Sequence, residues 1–334
     1  MNRTLFAMAV LWVFAGPASA QSSVAIYGAI DLGIARERNA AGTVVGISSG
    51  MMNGSRLGFK GAEDLGHGLS AIFTVENGFA ADTGAMAQGG LLFGRQAFVG
   101  LAGKFGTIRL GRQQTPVYRN NDVFDPFCNG MAGDSIRLIN YSGSRTNNMI
   151  SYTYDANGFR GQLQYAPGEM NGNNVAGRTV AGFGGYRQGA VDIVATYQRT
   201  YNASGTIGGM TALVGGNYDL GYAKLYGAYA WNRDVMAPTG VFSQGADMRN
   251  VLLGASIPTG GAGNIKVSYI VLQNKAVANA KSRQFGLGYV YDLSKRTALY
   301  ASGARLSNEA RAGLYSSTPG GENRLYNAGI RHWF

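Results

Sequence analysis

Beyond residue 20 this sequence has no run of the roughly 18 consecutive apolar residues that a membrane-spanning helix needs, yet it keeps returning to a two-residue alternation. In 24–34 the even positions are apolar or Gly, and Tyr27 and Asp31 stand on the other set. Arg56 and Lys60 oppose Leu57 and Phe59, Lys266 and Ser268 oppose Ile265, Val267 and Tyr269, and Phe285, Leu287, Tyr289 and Tyr291 share one face of 284–292. Successive side chains of a strand point to opposite faces, and period two sustained over about ten residues marks a strand that crosses a membrane. The second face is rich in Gly, Ser, Thr, Asn and Gln and carries less charge than the wet face of a soluble sandwich would. Lipid outside and water inside account for both faces. Lipid cannot satisfy an open sheet edge, so the sheet must close, the first strand pairing with the last and residues near Val24 lying beside residues near Ile330. The expected fold class is all-β, a transmembrane antiparallel barrel.

Turn-forming residues cut the chain between alternating runs at 64–68, 104–106, 155–158, 187–189, 219–221, 258–263 and 292–295. These short turns belong on one rim and the longer polar connections on the other. The segments between them predict strands at 23–35, 54–63, 69–79, 92–102, 106–112, 147–154, 159–167, 179–187, 190–201, 210–219, 222–234, 247–258, 264–274, 281–292, 297–306 and 325–334, sixteen in all, with fourteen and eighteen as neighbouring even counts. Sixteen strands enclose an aqueous channel. The stretch 113–146 is the longest gap in the pattern and holds Asp122, Asp125, Pro126, Phe127, Cys128 and Asp134. Its aromatic and apolar content argues for packing, inside the lumen or as an exterior loop. Asp31 and Glu76 share parity with small polar residues, so either tunes the pore or serves as a neutralised scaffold carboxylate.

The first 20 residues read differently. Arg3, the apolar stretch 5–14 and Ala18-Ser19-Ala20 form a secretory signal peptide with cleavage expected before Gln21, leaving 21–334 as a single barrel domain. One Cys excludes an intramolecular disulfide framework, and two distant His residues offer neither a metal site nor a catalytic pair, so no metal and no cofactor is expected. Lys plus Arg number 29 against 18 for Asp plus Glu, a net charge of +11. The bases are spread along the whole chain, which argues against nucleic acid and for a basic lumen that draws small anions.

The mature start, Gln21 to Asp31, resembles that of general porins from beta-proteobacterial outer membranes. So do Gly54-Ser-Arg-Leu-Gly-Phe-Lys-Gly-Ala-Glu-Asp-Leu-Gly-His-Gly-Leu, Arg95-Gln-Ala-Phe-Val-Gly-Leu, Gly111-Arg112-Gln113 and Arg331-His-Trp-Phe334. The resemblance implies a sixteen-stranded homotrimeric channel whose third loop, here 113–146, folds into the lumen. It also implies basic wall positions at Arg56, Arg95 and Arg145 opposite loop acids, with Asp125-Pro126-Phe127 matching an acidic-proline-aromatic turn and Asp122 and Asp134 as the other loop candidates. Lys60 lies near the entry, on the face of Arg56. Phe334 is the implied signal for the outer-membrane assembly machinery. Other implied partners are the chain itself, outer-membrane lipid and lipopolysaccharide, and small hydrophilic solutes and anions.

Three functions follow as expectations. The first is passive diffusion of small hydrophilic solutes and ions with modest anion preference. The second is a substrate-specific channel for small organic anions or sugars, which needs an aromatic or basic ladder along one wall. The third is a barrel enzyme or adhesin. For an enzyme, His67 falls in a turn and His332 shares a face with Ile330 and Phe334, so neither stands beside a nucleophile.

Overall fold

The computed structural model describes residues 23–128, 130–135, 139, 141–234 and 245–334; the expected leader, 1–20, lies outside them. Seventeen strands follow in order: β1 (Ser23–Asn39), β2 (Gly42–Ser49), β3 (Arg56–Gly66), β4 (Leu69–Gly78), β5 (Gln96–Gly103), β6 (Gly106–Gln114), β7 (Arg145–Ala156), β8 (Phe159–Ala166), β9 (Thr179–Gln188), β10 (Val191–Tyr201), β11 (Gly208–Asp219), β12 (Lys224–Arg233), β13 (Asp247–Pro258), β14 (Gly263–Asn274), β15 (Lys281–Asp292), β16 (Thr297–Asn308) and β17 (Glu322–Trp333). Each strand from β3 onward pairs antiparallel with its successor, and β17 returns to β1. The first half of β1 pairs with β3 and its second half with β2. The ring therefore has sixteen staves, and β2 is an extra hairpin arm stacked on the end of β1.

Alternation predicts every stave and misses β2. Both faces of β2 are exposed over most of its length. No contrast of solvent across the sheet acts there, so Val44 and Val45 stand side by side without a polar partner position. Elsewhere the two solvents sort the side chains. Phe285, Leu287, Tyr289 and Tyr291 point outward and are exposed, while Gln284 and Val290 on the same strand are buried. The β7–β8 turn shows why the chain reverses where it does. Ala156 pairs with Phe159, and the two residues between them, Asn157 and Gly158, have φ 52° and 83°, the left-handed pair that a two-residue hairpin requires.

The seam closes as expected between the first and last strands, but in a different register. Ile330 faces Leu32, not the neighbourhood of Val24, which pairs with Gly61 instead. Tilted staves must stagger as they close, so the middle of β1 meets the end of β17. The last residue completes the ladder: the Gly28 amide donates to the Phe334 carbonyl at 3.1 Å and the Phe334 amide to the Gly28 carbonyl at 3.2 Å. The Phe334 ring lies over Gly28, where an added Cβ would fall 2.3 Å from it. Gly28→Leu and Phe334→Ala should each lower, by a few degrees, the temperature at which the folded barrel converts to its unfolded gel mobility. Leu163→Ala, at an exposed outer position, should leave that temperature unchanged.

Candidate pore constriction

The connection from β6 to β7 turns into the barrel. Two short helices, α1 (Pro116–Arg119) and α2 (Asn121–Phe124), open it, and Pro at the first helical position suits a turn that has no partner for that N–H. Val117, Val123, Phe124 and Ile139 bury themselves against inward side chains of β9 to β16, among them Phe183, Leu213, Leu252, Ile270, Leu272 and Leu306. That apolar strip is the part of the inner wall that alternation alone would have left wet.

The wall makes room for this loop and satisfies its backbone. Inward glycines mark the contact line. A Cβ on Gly215 would fall 2.6 Å from Phe124, on Gly254 2.7 Å from Pro126, and on Gly286 2.5 Å from the Gly133 backbone. Inward polar side chains take up loop backbone groups. Asn217 donates to the Val123 carbonyl at 2.7 Å, Gln198 to Ser142 at 3.0 Å, Ser268 to Gly133 at 2.7 Å, and Ser302 accepts from the Ala132 amide at 2.9 Å. Lys266 donates to the Pro126 carbonyl. An unpaired buried carbonyl or amide costs about 1–3 kcal/mol, so much of the small polar lining is a seat for the loop as well as a water interface.

The expected loop acids divide. Asp125 is fully buried and accepts from the Phe127 amide at 2.8 Å and the Ser135 amide at 2.6 Å, which pins the turn together. Burial pushes its carboxyl above the usual range, and the hydrogen bonds from Ser135 and Phe127 oppose that rise. Asp134 is buried as well, and its carbonyl accepts from Gln284 at 3.3 Å. Only Asp122, on α2, is exposed to the lumen. Cys128 sits beside the turn, its thiol pushed up to about 11 by burial, which keeps it protonated and a poor nucleophile at neutral pH.

Asp31 and Glu76 are both buried and held by hydrogen bonds. Asp31 is fully buried and accepts from the Asn53 amide at 2.7 Å, the Met52 amide at 3.0 Å and the Tyr300 hydroxyl at 2.6 Å. It holds the link between β2 and β3, whose Met51 carbonyl in turn receives the Met131 amide of the inward loop. Glu76 is buried under Arg95, 2.7 Å away, and accepts from the Tyr27 hydroxyl at 2.9 Å. Breaking a buried pair of this kind by removing one partner costs about 3–5 kcal/mol.

Arg56, Arg95 and Arg145 come from β3, the residue preceding β5, and the start of β7. Arg145 donates to the Arg95 carbonyl at 2.8 Å and lies over the Tyr118 ring of the loop at 4.9 Å. Arg56 donates to the Gly54 carbonyl at 2.9 Å and lies over the Trp333 ring at 5.2 Å. With Glu76 the cluster carries three positive charges and one negative, a net +2. Lys60 stands four residues from Arg56 toward the short-turn rim, over the Tyr27 ring at 5.3 Å, and so lies apart from the cluster along the strand.

Sequence reasoning missed a second basic group. Arg119 of α1 is exposed in the lumen above the Phe183 ring, 5.9 Å away, and Arg109 lies over Phe98 at 5.2 Å. Nearer the short-turn rim Asp192 bridges Arg160 and Arg187. Parity would have found Arg109, which shares its face with Thr107. Arg119 sits in a segment without period, where nothing in the spacing marks it.

The family described as Gram-negative porin matches residues 7–311. Outer membrane porin protein 32 of Delftia acidovorans is 34% identical over 369 aligned residues, covering 100% of both chains. An outer membrane porin protein of Bordetella pertussis is 32% identical, again across 100% of both. Among solved structures, an anion-selective porin from Comamonas acidovorans superposes with a TM-score of 0.82 at 32% identity, over 94% of this chain and 100% of its own.

Three outcomes follow from the geometry. Gly254→Leu, which pushes on Pro126, should unseat the loop and raise single-channel conductance in a planar bilayer. Asp122→Asn should raise the chloride-to-potassium permeability ratio at unchanged conductance. Asp125→Asn should act instead on the loop's position, broadening the distribution of conductances.

Proposed function

Because the chain belongs to the Gram-negative porin family of the outer membrane, we propose that its barrel conducts small hydrophilic solutes and ions by passive diffusion, with a modest preference for anions. The observation that carries the preference is the lumen charge. At the constriction Arg56, Arg95 and Arg145 stand with Glu76, three cations against one carboxylate, a net +2, while Arg119 and Asp122 of the loop offset each other. Fixed cations beside a narrow wet path raise the local anion concentration, and low-dielectric walls focus the effect. The relative named as anion-selective is consistent with that sign. No bond is made or broken in this reading. The solute passes between α1–α2 and the arginine wall, filtered by width and charge.

The same reading extends to the rest of the life of the chain. Residues 1–20 act as a cleaved leader, Phe334 serves as the signal read by the assembly machinery, and the apolar outer wall supports a homotrimer surrounded by outer-membrane lipid and lipopolysaccharide.

The test is the zero-current potential under a KCl gradient. The intact protein should prefer chloride, and the preference should shrink as salt rises, since the screening length falls to about 3 Å at 1 M. Arg56→Ala and Arg145→Ala should each lower the chloride-to-potassium ratio. Arg95→Ala should lower it as well while destabilising the barrel, because Glu76 then keeps a buried charge without its partner. Potassium preference in the intact channel, or an unchanged ratio in the triple variant, would overturn the proposal.

A further inference from the structure

The tip of the inward loop is clamped by methionines. Phe127 and Met131 of the tip pack with Val290, Ala298 and Tyr300 of the wall, and Met51 and Met52 of the β2–β3 link close over them. Backbone contacts join the two segments: the Met131 amide donates to the Met51 carbonyl, and a Cβ on Gly130 would collide with the Met52 carbonyl. Two of the methyl ends rest on glycines. A Cβ on Gly33 would fall 2.7 Å from Met51 Cε, and one on Gly288 2.8 Å from Met131 Cε. Met131 is 3% exposed and holds a left-handed φ of 68°, a conformation that a methionine keeps only where its surroundings impose it.

Such a clamp is sensitive to one kind of chemistry. A thioether is at most a weak acceptor and packs like a hydrocarbon, whereas its sulfoxide is polar and calls for a donor. The donors around the cluster are already engaged. The Met52 and Asn53 amides and the Tyr300 hydroxyl donate to Asp31, the Ala132 amide donates to Ser302, and the Ser302 hydroxyl to Asn327. A sulfoxide oxygen on Met51 or Met52 finds none of these free and turns to water. Both side chains are half-buried. They lie on the lumen side, because Asp31 and Gly33 beneath them have the parity opposite to the outward, exposed Ile30 and Ile34. A small oxidant that enters the channel therefore meets these two sulfurs at the anchor of the loop.

We propose that Met51 and Met52 form an oxidation site through which hypochlorous acid or a peroxide loosens the constriction loop. The thioether sulfur takes up one oxygen atom and is oxidised by two electrons. With hypochlorous acid an S–O bond forms, the O–Cl bond breaks, chloride leaves and the hydroxyl proton passes to water. With hydrogen peroxide the O–O bond breaks and water leaves. The polar side chain draws water into the junction of Met51 and Met52 with Gly130 and Met131, the tip lifts, and the left-handed Met131 relaxes. The water path widens at that corner. The site rests on the channel reading above and adds a modification to it.

The experiment treats the full-length folded protein with hypochlorous acid at neutral pH and locates sulfoxide by peptide mass spectrometry. The single-channel conductance of each protein is compared before and after treatment. The intact protein should gain sulfoxide at Met51 and Met52, with a rise in mean conductance and a broader spread. Methionine sulfoxide reductases A and B with dithiothreitol should reverse both changes. Met51→Leu combined with Met52→Leu keeps the bulk and removes the sulfur, so its conductance should not respond to the oxidant. Met86 and Met170, in the β4–β5 and β8–β9 connections, are 49% and 47% exposed. Met86→Leu combined with Met170→Leu should respond as the intact protein does, and so should Cys128→Ser. Sulfoxide at Met51 and Met52 with unchanged conductance would overturn the site. So would an unoxidised Met51 and Met52 beside oxidised Met86 and Met170, an equal response from the Met51 and Met52 double variant, or loss of the response in Cys128→Ser. An untreated protein that conducts no ions would sink the channel reading and this site with it, whereas a conducting channel indifferent to the oxidant sinks the site alone.

Discussion

Hydrocarbon offers no hydrogen-bond partner, and that single fact dictates the rest of this molecule. Every backbone amide and carbonyl in the wall must find its mate on a neighbouring strand, so the first and last strands have to meet, down to the terminal Phe334 pairing with Gly28. Closure sets the stagger, the stagger sets which residues form each outer row, and the two solvents then sort side chains by parity. The one strand free of this demand, β2, lies on the end of β1 and shows no sorting.

The lumen follows a different rule. One half of the inner wall is occupied by the folded-in loop, whose packing resembles the core of a soluble protein: Phe124 and Ile139 are buried against Leu213, Leu252 and Ile270. The other half carries Arg56, Arg95 and Arg145. Water is therefore confined to the basic side, and the same loop that narrows the path also brings Tyr118 under Arg145 and Arg119 into the opening. The inward glycines of β11, β13 and β15 are spaced to admit this loop, which explains in contact terms why a barrel wall should contain so many residues without side chains.

How much of this could be read beforehand depends on whether a residue obeys a period. The staves did, because their two faces meet different solvents, and Arg56 and Arg145 were placed on the inner face by parity alone. The acids did not. Asp31 and Glu76 share the inner parity but are covered by Tyr300, Arg95 and the link between β2 and β3, contacts that join residues tens to hundreds of positions apart. Asp125 and Asp134 looked like equals of Asp122, yet two backbone amides capture the first and burial takes the second, leaving one carboxylate to face the solute. The seam register was displaced because alternation fixes which face a residue takes and is silent on how far one strand slides along the next.

The hydrogen bond from Tyr300 to Asp31 spans β17, passing over Gly329, where a side chain would collide with the Tyr300 hydroxyl. It joins the penultimate stave to the first, and Asp31 in turn fixes the segment that receives the tip of the inward loop. The filter is thus latched to the zipper of the ring. A barrel caught with its seam open keeps the loop's seat on β9 to β16 but lacks the Tyr300 hydrogen bond that steadies the anchor of Met131, so closing the ring also sets how firmly the tip of the filter is held.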